Sequence, residues 1–66
     1  MIQIRLNGQP HTLSGGTVAD LLEEMGHAGR RVAVEVNRAI VPKSLHAEHA
    51  LAEGDAVELV HALGGG

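Results

Sequence analysis

The chain has 66 residues, 44% of them hydrophobic, and its eight acidic and five basic residues give a net charge of −3. A chain this short buries only about 60% of its unfolded surface on folding, which limits it to one thin two-layer domain. It contains no cysteine, which excludes disulfides, thiolate metal sites and thiol nucleophiles. It also contains no Phe, Tyr or Trp and has no basic stripe, so nucleic acid is disfavoured as a partner. The negative net charge favours a partner with a positively charged docking face.

The first segment, MIQIRL, alternates apolar and polar residues as a strand with one covered face does. The same alternation argues against a signal peptide or a membrane span, so we expect a cytoplasmic protein without a membrane partner. Asn7-Gly8 predicts a two-residue hairpin turn, and Pro10 places the second strand at a sheet edge. The turn predicts three facing pairs: Leu6 and Gln9, Ile4 and His11, and Ile2 and Leu13.

The next segment, TVADLLEEMG, predicts a short amphipathic helix. Thr17 is a good N-cap with Asp20 in the capping-box position, and Gly26 is placed to cap the C-terminus. The preceding Gly15-Gly16 could offer free N–H groups to a phosphate, but the lysine and spacing of a P-loop are missing. A capped loop is therefore our interpretation. The apolar stripe consists of Val18, Leu21, Leu22 and Met25.

The second half begins with VAVEVN, whose alternation predicts a strand with its three valines on one face. Asn37-Arg38 predicts a tight turn into a short strand from Ala39 to Val41. Residues 43–51 predict an irregular connection with at most one helical turn, and we expect Leu45 and Leu51 to anchor it.

Histidines 46 and 49, in the stretch HAEH, raise the possibility of a metal site. Zinc sites normally use three or four ligands, and no third ligand is evident nearby. We therefore predict that His46 and His49 are solvated surface side chains and that the chain holds no metal.

The last strand is predicted in AVELVHAL, after the turn Glu53-Gly54-Asp55. Val57 and Leu59, with His61 as a further candidate, share one face of it, and Glu58 and Val60 share the other. The element order suits an α+β, β-grasp (ubiquitin-like) fold. In that fold a helix crosses one face of a mixed four- to five-stranded sheet, and the last strand lies parallel to the first. We expect this domain over residues 1–63 and a flexible glycine tail over 64–66.

Four stretches, TVADLLEEMG, VNRAIVP, EGDAVELV and the closing HALGGG, carry a resemblance that extends over the whole chain. With them the chain resembles the ThiS family, the sulfur carriers of thiamin thiazole synthesis. The most specific pieces are Val36-Asn37 leading to Val41-Pro42, the Gly54-Asp55 turn, and Gly65-Gly66. One difference is a third glycine, Gly64, ahead of the usual pair.

The resemblance implies a carrier with no catalytic residue and no cofactor of its own. A ThiF-type enzyme would use Mg-ATP to adenylate the carboxylate of Gly66, and a sulfur donor system would convert it to a thiocarboxylate. Thiazole synthase, ThiG, would then take the sulfur. Gly65 would be the obligatory neighbour of Gly66, and Gly64 would lengthen the tail.

The tail itself suits this chemistry, because glycine has no Cβ to widen the chain or to hinder a sulfur nucleophile at the terminal carbonyl. We expect Val60 and Leu63 to dock the partners, since exposed apolar groups often mark such surfaces. The alternative for Val60 is burial by the side chains of neighbouring strands. The alternatives are the small subunit of molybdopterin synthase, a ubiquitin-like modifier joined to lysines, a plain interaction module, and a tail without a function. Arg30, Arg31 and Arg38 are interpreted as solvated loop charges.

Overall fold

The computed structural model describes residues 1–61, so Leu63 and the tail residues Gly64, Gly65 and Gly66 lie outside the described residues. One five-stranded sheet, in the order β2-β1-β5-β3-β4, carries a single α-helix in this part of the chain. The predicted α+β architecture, a mixed sheet with one main helix, is confirmed. The elements are β1 (Ile2–Leu6), β2 (Gln9–Leu13), α1 (Val18–Glu24), β3 (Val32–Val36), β4 (Ala39–Val41), a 3-10 helix (Lys43–Leu45) and β5 (Ala56–His61).

Two hairpins form the edges of the sheet, and each turns over two residues. The predicted register of the first is confirmed, from Leu6 opposite Gln9 to Ile2 opposite Leu13. Its turn residue Asn7 has φ 50°, and the matching Asn37 of the second hairpin has φ 51°. Positive φ at both turn positions follows the twist of the flanking strands, and asparagine tolerates that conformation better than most residues.

β5 occupies the centre of the sheet and joins the two hairpins. It runs parallel to β1, with Leu6 facing Val57, and antiparallel to β3, with Val34 facing Leu59. The last strand therefore lies beside the first, as the element order predicts.

The core lies between α1 and one face of the sheet. Val18, Leu21 and Leu22 of the helix are buried, which confirms most of the predicted stripe. Met25 is a correction: the helix ends at Glu24, and Met25 is the C-cap with 37% of its surface exposed. Gly26 follows with φ +79°, the left-handed residue that commonly ends a helix.

The connection between β4 and β5 contains the predicted helical turn but differs from the prediction in its anchors. Leu51 is buried, whereas Leu45 is 45% exposed. His46 is buried instead, with 8% of its surface exposed, and its Nε2 lies 3.1 Å from the carbonyl oxygen of Val41. The prediction of a solvated His46 is therefore wrong, and His49 is half-buried.

Backbone bonding explains the burial of His46. The carbonyl oxygen of His46 accepts the N–H of Ala19 at 2.9 Å, and that of His49 accepts the N–H of Val18 at 3.0 Å. These bonds fasten the connection against the first turn of α1. With the backbone held there, the imidazole lies inward, toward β4.

Candidate functional site: the open face of the sheet and the end of β5

One face of the sheet is left uncovered by α1, and Val60 lies on it. Val60 is 61% exposed and faces Ala33 of β3, which is also exposed. Ile40 of β4 is 73% exposed on the same face. We call the surface formed by Ala33, Glu35, Ile40, Glu58 and Val60 the open-face patch.

Two carboxylates face each other inside the open-face patch. Glu35 of β3 is directly opposite Glu58 of β5, and Glu35 is also opposite Ile40. Like charges in facing positions destabilise a sheet. The pair therefore reduces stability in the free protein and gives a cationic partner group two acceptors beside an apolar surface.

The beginning of β5 is fixed by the turn of the second hairpin. The side-chain oxygen of Asn37 accepts the N–H of Ala56 at 3.0 Å, and its Nδ2 donates to Oδ1 of Asp55 at 3.0 Å. The other carboxylate oxygen of Asp55 accepts the N–H of Ala52 at 2.8 Å. Two of the stretches behind the family resemblance, VNRAIVP and EGDAVELV, thus meet at one hydrogen-bonded clip.

The turn of the first hairpin holds β5 from the other side. The side-chain oxygen of Asn7 accepts the N–H of Leu59 at 2.8 Å, and the backbone N–H of Asn7 donates to Val57 at 2.9 Å. Both turn asparagines therefore bind the strand that precedes the tail. Sequence reasoning identified them as turn residues and missed this second role, because the β5 pairings bring together residues far apart in the chain.

His61, the last described residue, marks the point where β5 ends. It faces Val32, the first residue of β3. Its ring lies edge-on to that of His27, with 4.5 Å between ring centroids and 87° between ring planes. Val60 and this end of the strand lie at the same end of the sheet.

The loop before α1 does not provide the phosphate site considered from the sequence. The Oδ2 of Asp20 accepts the N–H groups of Gly16 and Thr17 at 2.9 and 3.1 Å, and the Oε2 of Glu24 accepts the N–H of Gly15 at 2.8 Å. Thr17 and Asp20 form the predicted capping box. The backbone donors are therefore already paired.

Hydrogen bonds from the backbone of this loop lower the pKa values of two carboxyl groups. The N–H groups of Gly16 and Thr17 lower the pKa of the Asp20 carboxyl, and those of Gly15 and Ser14 lower the pKa of the Glu24 carboxyl. A hydrogen bond to the charged form of a carboxyl favours that form. Gly15 is required here, because a Cβ at that position would collide with the side chain of Asp20.

Residues 1–61 contain neither a cluster of metal ligands nor a membrane-spanning helix. No group of three or more His, Asp or Glu side chains in this range is close enough to hold a metal ion. No helix among these residues has the length and apolar character needed to cross a membrane. The open-face patch and the end of β5 remain the candidate functional site.

The strand order, the single helix across one face and the parallel first and last strands define a β-grasp domain, the ubiquitin-like class. A family model described as the ThiS family matches residues 4–66, and the chain belongs to that family. A sulfur carrier protein ThiS from Thermus thermophilus is 39% identical, over 92% of this chain and 95% of that protein.

Two further similarities concern a larger protein and a solved structure. A thiazole synthase from Magnetococcus marinus is 42% identical over 98% of this chain, yet the chain spans only 20% of that protein's length. The crystal structure of a thiamine biosynthesis protein (ThiS) from Geobacter metallireducens superposes with a TM-score of 0.82 at 30% identity, covering 98% of this chain and all of that one. The fold is therefore that of a solved ThiS protein.

Proposed function

We propose that this chain is a sulfur carrier for the synthesis of the thiamin thiazole, and that Gly66 bears the sulfur. The observation that carries the proposal is the match to the ThiS family over residues 4–66, because it includes the glycine tail as well as the domain. The chain then acts as a protein co-substrate rather than as an enzyme, and it needs no cofactor of its own.

The proposed chemistry has two steps. An oxygen of the Gly66 carboxylate attacks the α-phosphorus of ATP in a ThiF-type enzyme, and pyrophosphate leaves. Hydrosulfide from the sulfur source then attacks the activated carbonyl carbon, AMP leaves with the electrons of the broken C–O bond, and loss of the S–H proton gives the thiocarboxylate. A carboxylate needs this activation because its own oxygen is a poor leaving group, and the absence of a side chain at glycine leaves the carbonyl open to attack.

Thiazole synthase is the proposed acceptor of the sulfur. The match to about a fifth of a thiazole synthase from Magnetococcus marinus supports this partnership, since a segment similar to this chain is part of that protein. A second thiazole synthase, from Paramagnetospirillum magneticum, shows the same relation at 44% identity. We propose that Val60, with Leu63 beyond it, forms the apolar part of the docking surface for the enzymes.

The test is a reconstitution with the adenylating enzyme and thiazole synthase of the same organism. Incubation with the adenylating enzyme, Mg-ATP and a sulfur source should raise the intact mass by the difference between sulfur and oxygen. A chain lacking Gly66 is the matched control and should fold normally but gain no sulfur. Ladders of conjugated proteins would instead identify a modifier, sulfur transfer to a molybdopterin precursor would identify the alternative carrier, and no modification would leave an interaction module.

Docking is tested separately from the chemistry. Val60→Asp should weaken binding to the adenylating enzyme or thiazole synthase, because it places a charge in the apolar part of the open-face patch. Thr12→Asp is the matched control, since Thr12 is exposed on the same face at the far edge of the sheet. Equal affinities for both variants would remove Val60 from the docking surface.

A further inference from the structure

A groove lies on the side of the molecule where α1 packs, and it meets the open-face patch at Ala33. It has a volume of about 560 Å³ and runs between α1, the loop that follows it, the beginning of β3 and the 3-10 helix. Ala19 and Leu22 of the helix and Val32 of β3 provide apolar walls. Short side chains, Ala28 and Ala47 among them, keep it open.

The charge of the groove is opposite to that of the rest of the protein. Arg30, Arg31 and Lys43 line it, and Glu23 is the one acidic residue in the lining. These are three of the five Lys and Arg residues of the chain, so the remaining sequence has seven acidic residues against two basic ones. The three cations are exposed. An acidic ligand is therefore attracted to this side of the molecule.

The groove also follows a strand edge that β4 leaves open. β4 pairs with β3 only as far as Val34 opposite Val41, and the chain then turns away at Pro42 into the 3-10 helix. Val36 and Ala39 flank the two-residue turn as a hydrogen-bonded pair, and Val34 and Val41 form the next such pair. Every second residue of β3, counted back from Val36, therefore directs its backbone N–H and C=O groups toward the β4 side. Val32 is the next such residue, and it lines the groove without a β4 partner.

We propose that this groove binds an extended acidic segment of a partner protein, which adds to the open edge of β3 at Val32. Backbone pairing at the edge would orient the segment, and its apolar side chains would pack between Leu22 and Val32. Its carboxylates would pair with Arg30, Arg31 and Lys43. A small anion uses the cations but neither the apolar walls nor the strand edge, so a peptide segment fits more of the groove.

The position of the groove connects it with the candidate site. Val32 faces His61, the last residue of β5. A protein that holds the chain beyond β5 therefore has part of its surface next to the groove.

The experiment is an NMR titration of the isotope-labelled full chain, followed through its backbone amides. The probe is a short synthetic peptide of alternating Glu and Val, and the matched probe is a peptide of alternating Lys and Val. We expect the Glu-Val peptide to shift amides in residues 28–33 and 43–47 and the Lys-Val peptide to leave them unchanged.

Charge reversal shows whether the groove cations cause the binding. Arg30→Glu/Arg31→Glu should weaken Glu-Val binding about tenfold, the factor that corresponds to about 1.4 kcal/mol. Arg5→Glu/Arg38→Glu makes the same change in net charge outside the groove and should stay within about twofold. The amide spectrum of each variant without peptide shows whether it is folded.

Four outcomes would overturn the proposal. The first is that the groove amides stay unshifted, and the second is that both peptides shift them equally. Inorganic phosphate alone could reproduce the shifts at the same concentration, which would identify a simple anion site. Groove shifts that grow with protein concentration in the absence of peptide would identify a second copy of the chain as the occupant.

Discussion

The two faces of the sheet are built from the same strands, but one face forms the core and the other is exposed. Leu59 and Val60 are neighbours in β5, yet Leu59 is 7% exposed against the helix and Val60 is 61% exposed on the open-face patch. The covered face of β5 carries the buried aliphatic side chains of Val57 and Leu59, with His61 at its end, whereas the open one combines Val60 with the facing carboxylates of Glu58 and Glu35. Side-chain alternation thus lets one strand provide both the core and the proposed docking surface.

The largest expected effect separates these two faces at adjacent positions. Leu59→Ala should lower the free energy of unfolding by about 2–4 kcal/mol, because it removes buried methyl groups and leaves a cavity. Val60→Ala should change it by less than about 0.5 kcal/mol, since the side chain is largely in water already. Urea denaturation of both variants measures the difference. Similar losses for the two would show that the open face contributes to the core.

A second prediction tests whether β5 also depends on contacts that belong to neither face. Asn37→Ala should lower the free energy of unfolding by about 2 kcal/mol, because Ala56 loses the acceptor for its N–H and alanine is strained at φ 51°. Asn37→Gly is the control, because it removes the hydrogen bonds but keeps the turn conformation. The same denaturation should show a smaller decrease in the free energy of unfolding for Asn37→Gly than for Asn37→Ala. Equal decreases would mean that turn strain plays no part.

A third prediction contrasts the acidic residues of the two faces in acid. The folded-state pKa values of Asp20 and Glu24 are lowered, so their contribution to stability is present above their ordinary values of 3.8 and 4.5 and disappears as pH falls through the folded values. Stability should therefore decrease as the pH is lowered through this range. Thermal unfolding of Asp20→Asn/Glu24→Gln should show a weaker decrease.

The matched variant for this titration is Glu35→Gln/Glu58→Gln, which removes two carboxylates from the open face. It should keep the acid-dependent decrease of the parent chain, because the loop hydrogen bonds of Asp20 and Glu24 are intact. If stability depended less on pH in this variant than in the parent chain, the acid sensitivity would belong to Glu35 and Glu58 instead of Asp20 and Glu24.

The smallest effect concerns the facing carboxylates themselves. Glu58→Gln should raise the free energy of unfolding by about 0.2–0.5 kcal/mol, because it removes the repulsion from Glu35. The gain should shrink as salt is added, since exposed charges are screened. Glu48→Gln is the control for net charge, as Glu48 lies in the connection between β4 and β5. An equal gain from both would point to overall charge rather than to the pair.

Local signals predicted most of the fold. The Asn7-Gly8 turn sets the register of the first hairpin, and Thr17 with Asp20 marks the beginning of the helix; both predictions are confirmed by the structure. These features depend on residues close together in the chain, where turn and cap chemistry have few alternatives.

The missed features depend on contacts between distant segments. Residues 43–51 have no periodicity, so nothing in their pattern distinguishes His46, which is buried, from Leu45, which is not. The choice is made by the bonds of this segment to the first turn of α1. The facing of Glu35 and Glu58 was likewise missed, because no turn connects β3 to β5 and sets their register.

The place of β5 in the sheet has a consequence for synthesis on the ribosome. Both hairpins and the helix leave the exit tunnel before the strand that separates β1 from β3 in the finished sheet. The sheet of the nascent chain therefore lacks its central strand until residues 56–61 emerge. The enzymes that we propose as partners would meet a folded surface only on chains translated past that point.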